Sequence, residues 1–400
     1  MALSLERAKA APLEVFLRMN TKDSGLFDLL APYVQNIDTL RINNATIEKI
    51  RQALPGFPQS TPSLRSLRFN SDVGADWDHS TDPFESLAST LKYLKLSSIP
   101  LYPSILHLRS LTEFTYFNDR ADFHLDTLLD FLEENRLLEG VILGLSFEEA
   151  SLRSSRRRTA IQNQLRYLSV YYQDVRSGQA IISNIGLRRG AHFNISTVRA
   201  DGGSDNVLLG LSTAHLLNLR SPTLMEYRSY PRNIQLFGPN GRFSLQRHTI
   251  PGGGIPFAEF PLLPLTHVRE LRLTHRLPEL IQQTVSPQAF DQSSFPALET
   301  LVVDCGTSVS HLLSALFSNP SSPPSLKTLT FMNCDLAEKF MEELTQYASK
   351  RGGITSAPLY KVVIIHPDGV FPSIASIRKL EEHVSVIDVR MGTKLPKDLT

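Results

Sequence analysis

One short apolar pattern returns along the 400-residue chain and limits its possible folds more than any other feature. It reads Ile37-Asp-Thr-Leu40-Arg-Ile42, Leu64-Arg-Ser-Leu67-Arg-Phe69, Leu91-Lys-Tyr-Leu94-Lys-Leu96, Leu111-Thr-Glu-Phe114-Thr-Tyr116, Leu138-Glu-Gly-Val141-Ile-Leu143 and Leu165-Arg-Tyr-Leu168-Ser-Val170. Val268-Arg-Glu-Leu271-Arg-Leu273, Leu298-Glu-Thr-Leu301-Val-Val303 and Leu326-Lys-Thr-Leu329-Thr-Phe331 continue it. From Leu40 to Leu168 the central apolar residues step by 27, 27, 20, 27 and 27, and from Leu271 to Leu329 by 30 and 28. Alternation within each copy puts two apolar side chains on one face of a strand and the intervening residues on the other. Helical spacing follows in Leu26 to Val34, Asp122 to Leu132 and Leu336 to Leu344, with Asp122 and Asp335 placed to cap. A strand and helix of about 27 residues cannot bury their own apolar faces, so successive copies must stack.

Periods of 20–29 residues are those of leucine-rich repeats. The copy from Leu326 to Leu336, with Asn333 and Cys334, meets every position of L-x-x-L-x-L-x-x-N/C-x-L, whereas Ala45 and Ile99 stand in the Asn/Cys slot of other copies. The pattern predicts an α/β leucine-rich-repeat-like solenoid of irregular repeats, with a parallel sheet on its concave face and helices on its convex face. A single solenoid is expected over 1–400: N-terminal repeats over 1–200, an irregular insert over 201–265, C-terminal repeats over 266–393 and a tail over 394–400.

Particular elements can be placed within it. Pro12 to Leu17 alternates as a first strand, with Val15 25 residues before Leu40. His192 to Val198 continues the repeat, with Ile195 27 residues after Leu168. Asn233 to Phe237 and Arg242 to Gln246 flank the turn signal Gly238-Pro-Asn240-Gly241 and predict a hairpin. Tyr360 to Ile365 and Val384 to Val389 read as two closing strands joined by a helix around Ser373 to His383.

Charge excludes several functions. With 41 basic and 40 acidic side chains the net charge is +1, so the chain is no dedicated binder of nucleic acid or anionic membrane. Two cysteines, Cys305 and Cys334, cannot build a disulfide framework. No apolar run approaches a membrane span, and Glu6, Arg7 and Lys9 interrupt any secretory signal, so an intracellular, cytoplasmic or nuclear protein is expected.

The opening Leu5 to Val15, the segment Leu29-Leu-Ala-Pro32-Tyr-Val34 leading into Ile37-Asp-Thr-Leu40, and the irregular Ile234 to Gly241 before Val268-Arg-Glu-Leu271 carry a further likeness. Through them the chain resembles the leucine-rich-repeat-like region of fungal F-box proteins. The resemblance spans most of the chain and implies the substrate-recognition region of an F-box-type ubiquitin-ligase receptor. In that family an F-box upstream of the repeats docks on a Skp-type adaptor. Here the repeats begin almost at Met1 and the F-box is missing, so adaptor binding is implied only if an F-box lies upstream. An F-box-independent adaptor or sensor, for example a regulator of a small GTPase, is the second reading.

No phosphate-binding loop, nucleophile elbow or metal-binding motif is present, and the expectation is a non-catalytic protein with no cofactor and no metal. Gly252 to Gly254 lacks the lysine that a phosphate loop carries, and His267 and His275 are too far apart along a strand to share an ion. Cys305 and Cys334, 29 residues apart, read as buried repeat positions. Arg153, Arg156, Arg157 and Arg158 form a basic cluster, either an import signal or phosphate-contact patch or a solvated inter-repeat segment.

A partner is expected on the open face of the sheet, and a monomer is expected. Alternation assigns Arg41, Arg68, Tyr93, Lys95, Phe117, Tyr167, Tyr171 and Arg272 to that face as candidate contact residues, along with Glu113, Thr115, Ser169, Val302 and Thr330. Arg41, Arg68 and Lys95 share one slot of three consecutive copies, a ridge that needs a compensating acid or an acidic partner.

Overall fold

The computed structural model describes residues 11–18, 31–45, 63–71, 84, 90–118, 124–145, 160–162, 164–172, 175–187, 191–197, 222, 224–229, 232–238, 241–247, 263, 265–274, 295–304, 323–334, 338–354, 358–366 and 372–392. The chain divides into two compact units, Met1–Val198 with Gly210–His215, and Arg199–Leu209 with Leu216–Thr400.

In the first unit a ladder of parallel strands runs in the order β1 (Leu13–Arg18), β2 (Ile37–Ala45), β3 (Ser66–Ser71), β4 (Tyr93–Ser97), β5 (Glu113–Asn118), β6 (Gly140–Leu145), β8 (Tyr167–Tyr172) and β10 (His192–Thr197). Two short strands, β7 (Ala160–Gln162) and β9 (Ile185–Leu187), pair separately, also in parallel. The register follows the repeat. Val15, Leu40, Leu67, Leu94, Phe114, Val141 and Leu168 stand side by side, all buried. One expectation is corrected: Leu168 pairs with Phe193 and Ile195 pairs with Val170. The last step is therefore 25 residues, and the two-residue offset leaves Ile195 on the core face.

Helices pack on that core face. Helix α1 (Pro103–Leu106) starts with the proline at its first turn, where no donor is lost. Helix α2 (Leu125–Glu134) buries Leu125, Leu128, Leu129, Phe131 and Leu132, and Phe131 meets Phe114 at 4.3 Å between ring centroids. It starts after His124, which makes no side-chain cap bond; Asp122 lies outside the described residues. Asn135 closes it, donating from Nδ2 to the carbonyls of Phe131 and Leu106 at 2.9 and 3.2 Å. Helix α3 (Val175–Asn184) was not foreseen. The Leu26 to Val34 helix is represented by a 3-10 stretch, Ala31–Asn36, its earlier residues lying outside those described.

The second unit orders its strands β13 (Gly241–Arg247), β12 (Arg232–Gly238), β11 (Leu224–Ser229), β14 (Glu270–Thr274), β15 (Thr300–Asp304), β16 (Thr328–Met332), β17 (Lys361–His366) and β18 (Val386–Met391). The hairpin is there: β12 and β13 are antiparallel, with Gly238 opposite Gly241. An unforeseen strand, β11, is antiparallel to β12 and parallel to β14, joining the hairpin to the repeats. Leu271, Leu301, Leu329, Val362 and Ile387 continue in one register. Helix α4 (Glu338–Ile354) follows β16, and helix α5 (Ile374–Glu381) joins the two closing strands, its cap Ser373 accepting from Ser376 N–H at 3.1 Å. Asp335 lies outside the described residues.

A shared backbone device joins coils in both units. The carbonyl two residues before the central apolar position accepts two successive N–H groups of the next coil: Arg65 from Lys92 and Tyr93, Lys92 from Thr112 and Glu113, Glu299 from Lys327 and Thr328. Because these bonds use no side chain, they hold the register where the repeat consensus decays. Each unit is an α/β leucine-rich-repeat-like stack.

Candidate functional site

The face of the first sheet away from the helices carries three rows of side chains. Thr39, Ser66, Tyr93, Glu113, Gly140, Tyr167 and His192 form the first. Arg41, Arg68, Lys95, Thr115, Ile142, Ser169 and Asn194 form the second, and Asn43, Asn70, Ser97, Phe117, Gly144, Tyr171 and Ser196 the third. The expected ridge of Arg41, Arg68 and Lys95 therefore exists, on neighbouring strands about 4.8 Å apart.

Each cation of the ridge has its own compensation. Arg41 pairs with Glu14 Oε1 on β1 at 2.5 Å. The Arg68 guanidinium lies 4.6 Å from the centre of the Tyr93 ring, and Lys95 Nζ lies 5.7 Å from that of Phe117. Positive charge over an aromatic face is attracted by the ring quadrupole, which relieves the repulsion along the row without neutralising it. The repeat pattern does not signal Glu14, because alternation along β1 marks its faces and not the charge it lends to Arg41 on the next strand.

Phe117 and Tyr171 meet at 5.7 Å between centroids although β6 lies between their strands. Gly144 makes this possible, since a Cβ there would fall 2.2 Å from Phe117 Cδ1. Tyr93 and Tyr167 flank a recess over Gly140 of about 390 Å³, with Glu113 beside it and the Glu139–Arg166 ion pair, 3.4 Å long, at its rim. Tyr167 is exposed. The structure thus groups seven of the eight candidate contact residues on one face. Arg272 belongs to the second unit, where it bonds Glu270 at 2.6 Å.

Elsewhere the expected openness is corrected. Thr115 and Ser169 are buried, the latter accepting a bond from Asn194 Nδ2 at 2.8 Å. In the second unit Val302 and Thr330 are buried at 3% and 0% exposure, and Val302 forms an apolar cluster with Met332, Val363 and Ile365. Alternation names a face correctly; it does not say whether water reaches it.

Cys334 is buried, with its thiol donating to the carbonyls of Met332 and Val303 at 3.2 and 3.7 Å, as its repeat slot implies. Among the described residues no group of three His, Cys, Asp or Glu side chains could hold a metal ion, and no helix is long and apolar enough to cross a membrane. Cys305, His275, Gly252 to Gly254 and the Arg153, Arg156, Arg157 and Arg158 cluster lie outside the described residues.

No protein-family model matches the chain, and no curated protein matches it. Among solved structures it is similar to the leucine-rich repeat-containing protein LegL7 of Legionella pneumophila, at 12% identity and a TM-score of 0.27, over 97% of this chain and 94% of that one. It is also similar to a protein of Bacteroides fragilis at 11% identity and a TM-score of 0.26, over 98% of this chain and 78% of the other. At these scores the fold assignment rests on the ladders and their register.

Proposed function

We propose that this protein is a non-catalytic scaffold for protein–protein interaction that holds its partner on the three-row face of the first unit. We further propose that it acts as the substrate-recognition region of an F-box-type ubiquitin-ligase receptor. One observation supports the scaffold reading above all: Arg41, Arg68 and Lys95 stand in register with Tyr93, Phe117, Tyr167 and Tyr171 around them. Arginine and tyrosine are the residue types that dominate binding energy at protein interfaces. The ligase part is supported by the likeness of Leu29 to Leu40 and Ile234 to Gly241 to the F-box family's repeat region.

Two measurements test the two parts separately. Co-expression of the full-length gene product with a Skp-type adaptor is expected to give a stable complex; a product that begins at Met1 and does not bind the adaptor overturns the ligase reading. The triple charge reversal Arg41→Glu, Arg68→Glu, Lys95→Glu is expected to weaken capture of the partner by at least about tenfold, through complementary charge lost and like charge gained. Unchanged capture overturns the assignment of the face.

A further inference from the structure

Strand β6 carries two glycines on the three-row face, and only one of them is required by its neighbours. Gly144 is required, because the Phe117 ring occupies the place of its Cβ. At Gly140 a Cβ would meet only Glu113 Cγ, at an ordinary 3.5 Å, and the backbone there does not adopt the left-handed conformation that favours glycine. Gly140 opens β6, and with no side chain at that position the sheet is left bare beneath the recess.

That recess lies over Gly140. Its volume of about 390 Å³ lies at the small end of the range for ligand pockets. Tyr93 and Tyr167 stand on either side, with Glu113 between Tyr93 and the glycine in the same row. At the rim Glu139 is engaged by Arg166 at 3.4 Å. Arg68 is directed to the Tyr93 ring and Lys95 to the Phe117 ring, which leaves Glu113 without an ion-pair partner among the described residues. The pocket therefore presents two tyrosine side chains, the Glu139–Arg166 pair at its rim and one solvent-exposed carboxylate, Glu113.

We infer that this pocket receives an arginine side chain of the protein partner, a step that rests on the three-row face being the binding face. The planar guanidinium matches both features at once: it forms paired hydrogen bonds with a carboxylate in its own plane and stacks on a tyrosine ring. An anionic group would face Glu113 instead, and an uncharged one would forgo the charge-assisted bond to it.

The probe is N-acetyl-Gly-Arg-Gly amide, with the citrulline peptide as its uncharged isostere, titrated against the full chain and followed by saturation-transfer NMR. The arginine peptide is expected to bind at least about tenfold more tightly than the citrulline peptide, the effect of one charge-assisted hydrogen-bonded pair. Gly140→Val fills the recess and abolishes binding. Glu113→Gln, an exposed and nearly isosteric change that keeps the test open should Gly140→Val fail to fold, weakens binding by a similar factor. Equal binding of the two peptides, preference for the corresponding aspartate peptide, or indifference to both substitutions overturns the inference. Its failure is separable from that of the scaffold reading. If the ridge reversal leaves partner capture unchanged while the arginine probe still depends on Glu113, the scaffold assignment falls, the partner's role at the pocket falls with it, and only the pocket's affinity for a guanidinium stands; the opposite pattern removes the pocket alone.

Discussion

The ring of Phe117 lies where a side chain at position 144 would begin, and through that vacancy it reaches Tyr171 on the strand beyond, 5.7 Å between centroids. The two glycines of β6 should therefore respond oppositely to alanine. Gly144→Ala forces the ring aside and is expected to cost about 1–3 kcal/mol, the usual range for overpacking. Gly140→Ala meets ordinary contact and is expected to be neutral or to stabilise by about 0.5–1 kcal/mol, as an extended residue loses less backbone freedom than glycine. Urea denaturation of both variants checks the contrast, and equal destabilisation would contradict it.

Arg351 is a fully buried cation whose guanidinium bonds backbone carbonyls. Its Nη2 donates to the carbonyls of Pro323, Leu326 and Pro324 at 2.7, 2.9 and 3.2 Å, clamping the segment before β16 to the last turn of α4. Arg351→Met strands these carbonyls and is expected to cost about 2–4 kcal/mol of the second unit's stability. Arg351→Lys keeps the charge but not the fork, and should recover only part of the loss in the same denaturation experiment. Burial also raises the Tyr347 phenol above its ordinary range, against the opposing pull of Arg351.

Asn135 gives a sharper test of a cap, because only its amide nitrogen is used, toward Phe131 and Leu106 carbonyls. Asn135→Ala is expected to cost about 1–2 kcal/mol. Asn135→Asp should cost more at neutral pH, since carboxylate oxygens would face two carbonyl oxygens in a buried site. Thermal melts of the two variants at one pH decide the order.

On β18 the Asp388 carboxylate accepts two bonds from Arg390, at 2.8 and 2.6 Å, and the hydrogen bond from that guanidinium holds its pKa below the ordinary carboxylate range. A depressed folded pKa contributes stability that is present above the unfolded value of about 4 and is lost as pH falls through the folded one. Asp388→Asn should therefore lower the melting temperature at pH 7, and the difference from the parent protein should shrink in acid. A gap that persists unchanged below the titration would refute the linkage.

Much of the ladder was legible because strand pairing and sequence spacing measure the same thing. Leu40, Leu67, Leu94, Phe114, Val141 and Leu168 pair as their spacing requires. Counting fails where a coil changes length by two residues, as at Phe193, because a strand's period of two hides the slip from the apolar pattern. The burial of Val302 and Val363 had a signal that alternation overrode: Val362, Val363, Ile364 and Ile365 form an unbroken apolar run, the mark of a strand covered on both faces. Gly140 and Gly144 gave none. A vacancy has no hydropathy, and its meaning depends on Phe117 and Glu113, residues that reach the same place only through folding.

The rows of the first sheet are uneven from strand to strand. Across β1 to β6 they offer the Glu14 carboxylate, then Arg41, Arg68 and Lys95, then Glu113 and an empty floor. An extended segment laid over this order and one laid in the opposite sense would meet different charges at every strand, even with identical composition. The face is consequently vectorial: its order of charges differs when read from β1 to β6 and from β6 to β1, a property that no single residue of the ridge possesses.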